Sequence, residues 1–155
     1  MSEIMVAGPL DYIEVDHDLL EEVAQYVADH IQKSHVVGIN FIDIDSITDM
    51  NEQYRHKPKP TNVLSFIYPT ISIEPYYDEK PDAYGEIFLC DEIIIREANQ
   101  QNKTVEAHTV HMVLHGILHI HGFDHESALD AETMESLEKE ILSHFNIKDP
   151  YEKNN

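Results

Sequence analysis

Three histidines in the C-terminal third of the chain have the spacing of a metal site. His115 and His119 are four residues apart within 104–121, a segment that we expect to be helical. Their side chains then lie one turn apart on one face, with roughly 5–6 Å between Cβ atoms. Gly122 can end this helix with a positive φ and turn the chain back, so that His125 reaches the same ion. Three neutral imidazoles with one open position are typical of a catalytic zinc site.

The residue after the first of these histidines bears on whether the site is that of a peptidase. The spacing from His115 to His125 is that of the metzincin peptidases, in which a glutamate after the first histidine is the general base. Gly116 stands at that position here. A peptidase would need its base from elsewhere, with Glu126 or Glu86 as candidates. Partly exposed histidines without a metal are the simpler interpretation, and the shared spacing of all three disfavours it.

A helical wheel places the histidines on one stripe. At about 100° per residue, His111, His115 and His119 fall on one side of the helix. The opposite side is apolar and carries Val110, Val113, Leu114 and Ile117. His121 falls in the apolar sector, so we predict a packing or helix-end residue there, not a ligand. His108 shares the ligand stripe, and we predict that it and His111 support the structure or the ligands.

Composition limits the class of protein. A chain of 155 residues with 42% hydrophobic content is predicted to form one domain, 1–155. Cys90 is the only cysteine, which excludes a disulfide framework. We predict that Cys90 itself is a core residue of a strand. No leader pattern or run of 18 apolar residues occurs, so a cytoplasmic location without a membrane is expected. The net charge of −20 disfavours DNA as a partner and requires any RNA contact to be local.

The elements that must position the histidines alternate along the chain. Strands are predicted at 11–15, 36–43, 61–67 and 85–90, and helices at 18–32, from 45 or 46 to 55, from 91 onward, at 104–121 and at 131–145. Asp45 or Ser46 is predicted to cap the second helix and Asp91 the third. Segment 68–83 is a long loop with prolines and tyrosines, which is typical of a functional or mobile segment. The pattern predicts an α+β fold: a small mixed sheet with about five helices, the metal site on a central one.

A short basic run lies before the third strand. Arg55, Lys57 and Lys59 are three of the ten basic side chains in the chain, and Tyr54 and His56 flank the arginine. Such a run forms either a solvated loop or a local phosphate-binding site. The planar guanidinium of Arg55 suits bidentate contact with phosphate, whereas the alternative is a surface ion pair in an acidic protein.

These segments resemble the YbeY family of bacterial rRNA maturation factors. The resemblance is carried by the string from His111 to His125, by Pro60-Thr-Asn-Val-Leu-Ser-Phe66 and by Tyr84-Gly-Glu-Ile87, and it extends from about Ile39 to Tyr151. His121 stands where an apolar residue is usual in the family, and the loop 67–84 is long. The resemblance implies a single-strand-specific metallo-endoribonuclease. Its activity would be maturation of the 3′ end of small-subunit 16S rRNA and ribosome quality control.

The resemblance also implies residue roles. One Zn²⁺ per chain, or another first-row divalent ion, would be held by His115, His119 and His125. A metal-activated water would attack the phosphodiester, so a glutamate after the first ligand is not required. The family's arginine would be Arg55, acting on the phosphoryl charge. The expected partners are single-stranded RNA, rRNA and the ribosome or its assembly proteins.

Supporting residues and alternatives complete the prediction. Asp124 is predicted to orient a ligand imidazole, with helix-end capping as the alternative, and His111 to support the ligands. Lys57 and Lys59 are predicted to make weaker RNA contacts. Two other functions stay open at this point: a zinc-dependent peptidase, and a non-catalytic ribosome assembly protein with a structural metal.

Overall fold

A computed structural model of the protein describes residues 3–7, 15–76, 80–124 and 126–152. Its strands form one mixed sheet and are β1 (Glu3–Ala7), β2 (His35–Ile42), β3 (Val63–Ile67) and β4 (Ala83–Cys90). The strand order is β1-β2-β4-β3. The first three strands in that order run parallel, and β3 runs antiparallel to β4. The edge strand β3 is therefore reached from β2 through a helix and a loop.

Five α-helices cover this sheet. They are α1 (His17–Ile31), α2 (Ile44–Arg55), α3 (Asp91–Gln100), α4 (Val105–Ile120) and α5 (Ala128–His144). Four of them begin at a side-chain oxygen that accepts a backbone N–H of the first turn, a preferred N-cap arrangement. These N-cap residues are Asp16, Asp43, Thr104 and Ser127.

Helix α4 is the central element. It packs on β3 and β4, and α1, α3 and α5 pack around it. Eleven of its 16 residues are buried, so most of its surface cannot meet a substrate. It lies close against the sheet: a Cβ placed on Gly116 would be 2.8 Å from Cδ1 of Ile87 on β4. His115 and His119 are half-buried, so the C-terminal half of α4 is accessible at these two side chains.

A second apolar cluster forms under α2. Ile47 of α2 is fully buried with Leu64 and Cys90. Cys90 lies at the end of β4 with no exposed surface, which confirms the predicted strand core position. This packing fixes α2 beside β3, and the C-terminal end of α2 delivers Arg55 to the edge of the sheet.

Most predicted elements are confirmed to within a few residues, but two helix caps were wrong. Asp43, not Asp45 or Ser46, caps α2, because its carboxylate accepts the N–H of Ser46 at 2.8 Å. Asp91 is the first residue of α3 rather than its cap, which is Cys90, and its carboxylate accepts the N–H of Glu92. In both cases the helix begins earlier than the sequence pattern indicated.

The N-terminal strand and the long loop also differ from expectation. Residues 11–14 of the predicted strand at 11–15 lie outside the described residues, and Val15 is not in a strand. β2 pairs with β4 on one side and with β1 on the other, and periodicity missed β1 because it is a short edge strand with Met5 largely exposed. The predicted loop 68–83 holds two short 3₁₀ turns, Thr70–Ser72 and Glu74–Tyr76.

Within the described ranges, no helix has the length and apolar character needed to cross a membrane. The mixed sheet, the five helices and the central position of α4 agree with the predicted α+β fold. The assignment of 1–155 to one domain stays a prediction.

Candidate metal centre

The two histidines at the end of α4 face each other. The Nε2 atoms of His115 and His119 are 3.1 Å apart. Two nitrogens bound to one tetrahedral zinc at ordinary Zn–N lengths would be roughly 3.3 Å apart. The pair therefore has the separation that two ligands of a single ion require, without movement of the helix.

A buried carboxylate stands behind the pair. Glu138 on α5 has no exposed surface, and its Oε1 lies 2.7 Å from Nδ1 of His115. A carboxylate only accepts hydrogen bonds, so Nδ1 of a neutral His115 carries the proton and donates it. The Nε2 lone pair is then directed toward His119, which is the tautomer that a metal ligand needs.

Glu138 is itself held from the other side. Its Oε2 accepts from the Tyr151 hydroxyl at 2.5 Å and from Nε2 of His111 at 2.7 Å. Burial alone would raise the pKa of Glu138, but the hydrogen bonds from His111 and His115 outweigh it and lower the pKa to about 2. Burial, and then the bond to Glu138, raise the pKa of Tyr151, so its hydroxyl stays a donor. The carboxylate is therefore charged and fixed in orientation.

The structure contains a second grouping that could hold a metal. His111, His115 and Glu138 each have a ligand atom within 4.8 Å of the others. Oε2 of Glu138 lies 2.7 Å from Nε2 of His111, and Oε1 lies 2.7 Å from Nδ1 of His115; both are charge-assisted hydrogen-bond lengths, shorter than two ligands of one tetrahedral ion would adopt. These contacts place Glu138 as a hydrogen-bond partner of His115, and the His115–His119 pair, here called the ligand face, stays a prediction.

The chain turn after α4 is consistent with the predicted third ligand. Gly122 has a φ of +95°, as expected for a glycine that ends a helix and reverses the chain. His125 itself lies outside the described residues, so its role as a ligand stays a prediction. His121 caps the helix instead, and its Nε2 lies 2.8 Å from Nδ1 of His35.

A cleft of about 850 Å³ opens in front of the paired histidines. His115 and His119 line it together with Arg55, Lys57 and Lys59. Residues separated by about 60 positions in the sequence are thus brought to one surface, and this surface holds all the predicted basic residues. Nη2 of Arg55 donates to the carbonyl oxygen of Ser65 at 3.2 Å, which ties the guanidinium to the edge strand β3.

The basic loop is ordered by a buried amide. Helix α2 ends at His56, which has a left-handed backbone, and Asn51 is almost fully buried beneath it. Nδ2 of Asn51 donates to the carbonyl oxygen of Lys59 at 2.8 Å, and the Asn51 carbonyl accepts from the N–H of Lys57. Asn51 therefore fixes the backbone of the basic run against the helix, and the run forms one wall of the cleft with its side chains exposed to solvent.

The cations of this wall form no ion pair within 4.0 Å with a residue that the structure describes. Among the described lysines and arginines, only Lys139 and Lys148 form an ion pair within 4.0 Å. Arg55, Lys57 and Lys59 do not, although the chain has 30 acidic and 10 basic residues. No described carboxylate therefore neutralises these three cations by an ion pair within 4.0 Å.

The sequence profile of the endoribonuclease YbeY family matches residues 10–146. This chain belongs to the YbeY family. A relative from Coxiella burnetii strain Dugway 5J108-111, named Endoribonuclease YbeY, is 41% identical over 133 residues, or 86% of this chain and 84% of the relative. A Francisella philomiragia relative of the same name is 37% identical over 137 residues, or 88% and 86%. A solved Thermotoga maritima structure is 26% identical, with a TM-score of 0.60 and 97% coverage of both chains.

The site of this YbeY family member has no place for a glutamate after His115. A side chain at position 116 would meet Ile87, because α4 packs on β4 at this point. Glu86 is adjacent to Ile87 on the strand, so its side chain points to the opposite face of the sheet, away from α4. Glu126 does line the cleft and is exposed. Of the two acids considered for a peptidase, only Glu126 lies at the cleft.

Asp124 lies at the rim of the same cleft. Its Oδ1 accepts the N–H of Glu126 at 3.3 Å, so it orders the turn between α4 and α5. The cap residues of the two neighbouring helix ends are His121 and Ser127, and orientation of an imidazole by Asp124 stays a prediction. His111 does contact the support of a ligand, since it donates to Glu138.

Sequence reasoning missed three supporting residues, namely Glu138, Tyr151 and Asn51. A signal for Glu138 was present, since it stands within the apolar stripe of α5 beside Met134, Ile141 and Leu142. A charged side chain in such a stripe requires a buried partner. Nothing in the local sequence marks Tyr151 or Asn51, because their partners come from other segments.

Proposed function

We propose that this protein is a zinc-dependent endoribonuclease that cuts single-stranded RNA, matures the 3′ end of 16S rRNA and takes part in ribosome quality control. Membership of the endoribonuclease YbeY family supports the reaction class. The observation that carries the proposal is the shared cleft, in which a His115–His119 pair faces Arg55. The proposal places the protein in the cytoplasm, with the ribosome or its assembly proteins as partners.

The residues at the end of α4 fit a zinc ion. His115 and His119 would hold it by Nε2, and His125 is proposed as the third ligand. When bound, zinc supplies a Lewis acid that polarises a phosphoryl oxygen and lowers the pKa of a water to about 7. Three imidazoles also suit other first-row divalent ions, so metal analysis is part of the test.

The chain's own residues divide the remaining tasks. Glu138 keeps His115 in one tautomer and orientation, so the ligand face is prepared before substrate arrives. Arg55 is proposed to form bidentate hydrogen bonds with the scissile phosphate and to stabilise the charge that develops there. Lys57 and Lys59 are proposed to bind phosphates on one side of it. Their backbone is fixed through Asn51, so they need little reordering on binding.

The charge distribution supports a local mode of RNA binding. The net charge of −20 repels a polyanion, and the cations of the cleft are the exception. A flexible single strand can enter a cleft with few phosphate contacts, whereas a rigid duplex presents its phosphates over a broader surface. We therefore expect a preference for single-stranded RNA and a modest dependence of affinity on salt.

A peptidase is the second candidate, and Glu126 is the observation that favours it. This exposed carboxylate lines the cleft, and of the two acids considered for a peptidase it is the one that could act in place of a residue at 116. The proposed nuclease needs no such base. Replacement of Glu126 by glutamine therefore separates the two candidates, because it would abolish proteolysis and leave RNA cleavage within a few fold.

The test uses metal-loaded protein with labelled single-stranded RNA, a matched RNA duplex and casein. We expect cleavage of the single strand that a chelator abolishes and added zinc restores, slower cleavage of the duplex and intact casein. Proteolysis that disappears in Glu126→Gln, without RNA cleavage by the wild type, would replace the nuclease with the peptidase. Tight metal binding with neither activity would favour the assembly protein with a structural metal.

A further inference from the structure

A second pocket adjoins the metal centre. Its volume is about 370 Å³, and it shares Asn62, Val63, Glu97 and His115 with the main cleft. Because His115 lines both, the pocket opens directly beside the ligand face. The size lies at the lower end of the range for small-molecule sites, which is the scale of a single nucleotide. The pocket is on the side of His115 that leads away from the basic wall, toward the N-terminal end of α4.

Lys103 lines the far end of this pocket. It precedes the N-cap Thr104, and the rise from there to His115 is about 16 Å along the axis of α4. The side chain is half-buried, and it forms no ion pair within 4.0 Å with a residue that the structure describes. Burial lowers the pKa of Lys103, and nearby Glu97 and Asp149 oppose that change.

Both nearby acids are engaged elsewhere. Oε1 of Glu97 accepts from Nε2 of His108 at 2.9 Å and from Nδ2 of Asn62 at 3.0 Å. The carboxylate of Asp149 lies 3.5 Å from Nζ of Lys139 and also accepts the N–H of Tyr151. These contacts hold the two carboxylates against the protein, and the Lys103 ammonium is left for an anion from outside.

An aromatic ring lies in the same pocket. Tyr151 lines it and is 38% exposed. Its hydroxyl is fixed by Glu138, and its ring lies edge-on to His111 with centroids 5.6 Å apart. A ring held at both its hydroxyl and its edge, yet still exposed, is suited to stack with a base of a single strand.

We propose that this pocket is a nucleotide subsite of the RNA substrate, in which Lys103 binds a backbone phosphate beyond the scissile one and the Tyr151 ring stacks with the intervening base. The inference rests on the proposed endoribonuclease function and extends it. In this proposal Lys57 and Lys59 lie on one side of the metal centre and Lys103 lies on the other. The RNA strand crosses the face formed by His115 and His119, and lysines bind it at both ends.

Lys103→Met is the first test. This change keeps the length of the side chain and removes its charge. Lys80→Met is the matched control, because Lys80 is exposed and lines none of the clefts described above. Single-turnover cleavage of a labelled single-stranded RNA by metal-loaded enzyme gives the half-saturating concentration and the maximal rate from one titration. We expect Lys103→Met to raise the half-saturating RNA concentration several-fold. It should also lower the steepness of log affinity against log salt by about 0.7.

An abasic scan tests the stacked base. RNAs lacking one base at each position around the cleavage site are compared on the wild type and on Tyr151→Leu. We expect one abasic position, on a single side of the cut, to weaken wild-type binding by on the order of tenfold. Removal of the base at that position should not weaken RNA binding by Tyr151→Leu any further. Tyr151→Phe keeps the ring without its hydroxyl, so it should respond to the abasic position as the wild type does.

The outcomes separate the two hypotheses. Fluorescence anisotropy with the same RNA measures binding independently of cleavage. Binding that depends on Lys103, without cleavage by the wild type, would support the subsite and overturn the proposed reaction. Cleavage with the wild-type salt slope in Lys103→Met, or equal abasic effects in the wild type and Tyr151→Leu, would overturn the subsite and leave the reaction in place.

Discussion

Two pairs of histidines among the described residues are in nitrogen-to-nitrogen contact, and one of the two lines the cleft beside Arg55. His115 and His119 approach to 3.1 Å, and His35 and His121 approach to 2.8 Å. The first pair is half-buried, lines the cleft and has the charged Glu138 behind it. The second pair lies at the other side of the helix end, with His35 fully buried. Distance between imidazoles alone therefore does not define a metal centre.

The difference lies in protonation and access. Glu138 fixes a proton on Nδ1 of His115, so that Nε2 offers a lone pair to the cleft. In the other pair, burial and then the charge of His121 lower the pKa of His35 to about 4. The first pair is the one that we propose binds a metal ion from solvent. The other is a neutral contact that packs the end of α4 against β2.

Alanine substitutions at the two pairs give the largest expected contrast. His115→Ala and His119→Ala, and His125→Ala for the predicted third ligand, should reduce bound metal to near zero and abolish RNA cleavage, because two imidazoles bind a first-row ion weakly. His121→Ala should keep one metal per chain, since its ring contacts His35. Elemental analysis of purified protein measures both. Metal loss in His121→Ala would remove the distinction between the pairs, and full retention in a variant of the first set would exclude that residue as a ligand.

Arg55→Lys tests whether RNA cleavage requires the planar guanidinium of Arg55 or only its positive charge. A lysine keeps the charge but loses the planar pair of donors, so the maximal single-turnover rate should fall on the order of 10²-fold with metal content unchanged. Lys57→Met is the control, in which the half-saturating RNA concentration should rise and the maximal rate should hold. A wild-type maximal rate in Arg55→Lys would reduce Arg55 to a residue that only positions RNA.

The sequence predicted that His115 and His119 lie together and that the basic residues form one run, because both depend on local spacing. The four-residue step between His115 and His119 places them together on any helix. Arg55, Lys57 and Lys59 form a cluster in any conformation of their segment. That the two groups share one cleft depends on the sheet order β1-β2-β4-β3, in which the edge strand β3 lies beside α4. The family resemblance, and not the spacing, supplied that expectation.

The support of the ligand pair was not predictable in the same way. Glu138 contacts His115 across 23 positions, and Tyr151 contacts Glu138 across 13. These contacts require the packing of α5 on α4, which has no local signature. The sequence shows only that Glu138 occupies an apolar stripe, and a buried carboxylate could meet any of the eleven histidines or ten basic residues. Tertiary packing decides which.

Glu138→Gln tests whether the carboxylate distinguishes the pairs. A glutamine keeps the volume, but its amide no longer fixes one tautomer of His115, so metal affinity should fall 10- to 100-fold. Competition with a calibrated chelator measures this affinity. Glu97→Gln is the control, because Glu97 accepts from His108, which does not line the main cleft, and metal affinity should change little. Equal affinities in Glu138→Gln and the wild type would mean that the pair is prepared by other contacts.

The His35–His121 pair should affect the free energy of unfolding and not metal binding. This is the smallest of the expected effects. The pKa of His35 is about 4 in the folded protein and 6.5 ordinarily. As the pH falls, the His35 ring is therefore protonated in the unfolded chain before it is protonated in the folded protein. Its contribution is therefore fully present above about pH 6.5 and is lost as pH falls toward 4, with a limit of about 3 kcal/mol. His35→Asn keeps a polar atom near His121 without titrating, so its unfolding free energy should fall less over that interval. Urea unfolding across pH measures the slope, with exposed His17→Asn as the control. A slope in His35→Asn equal to that of the wild type would assign the acid sensitivity to other groups.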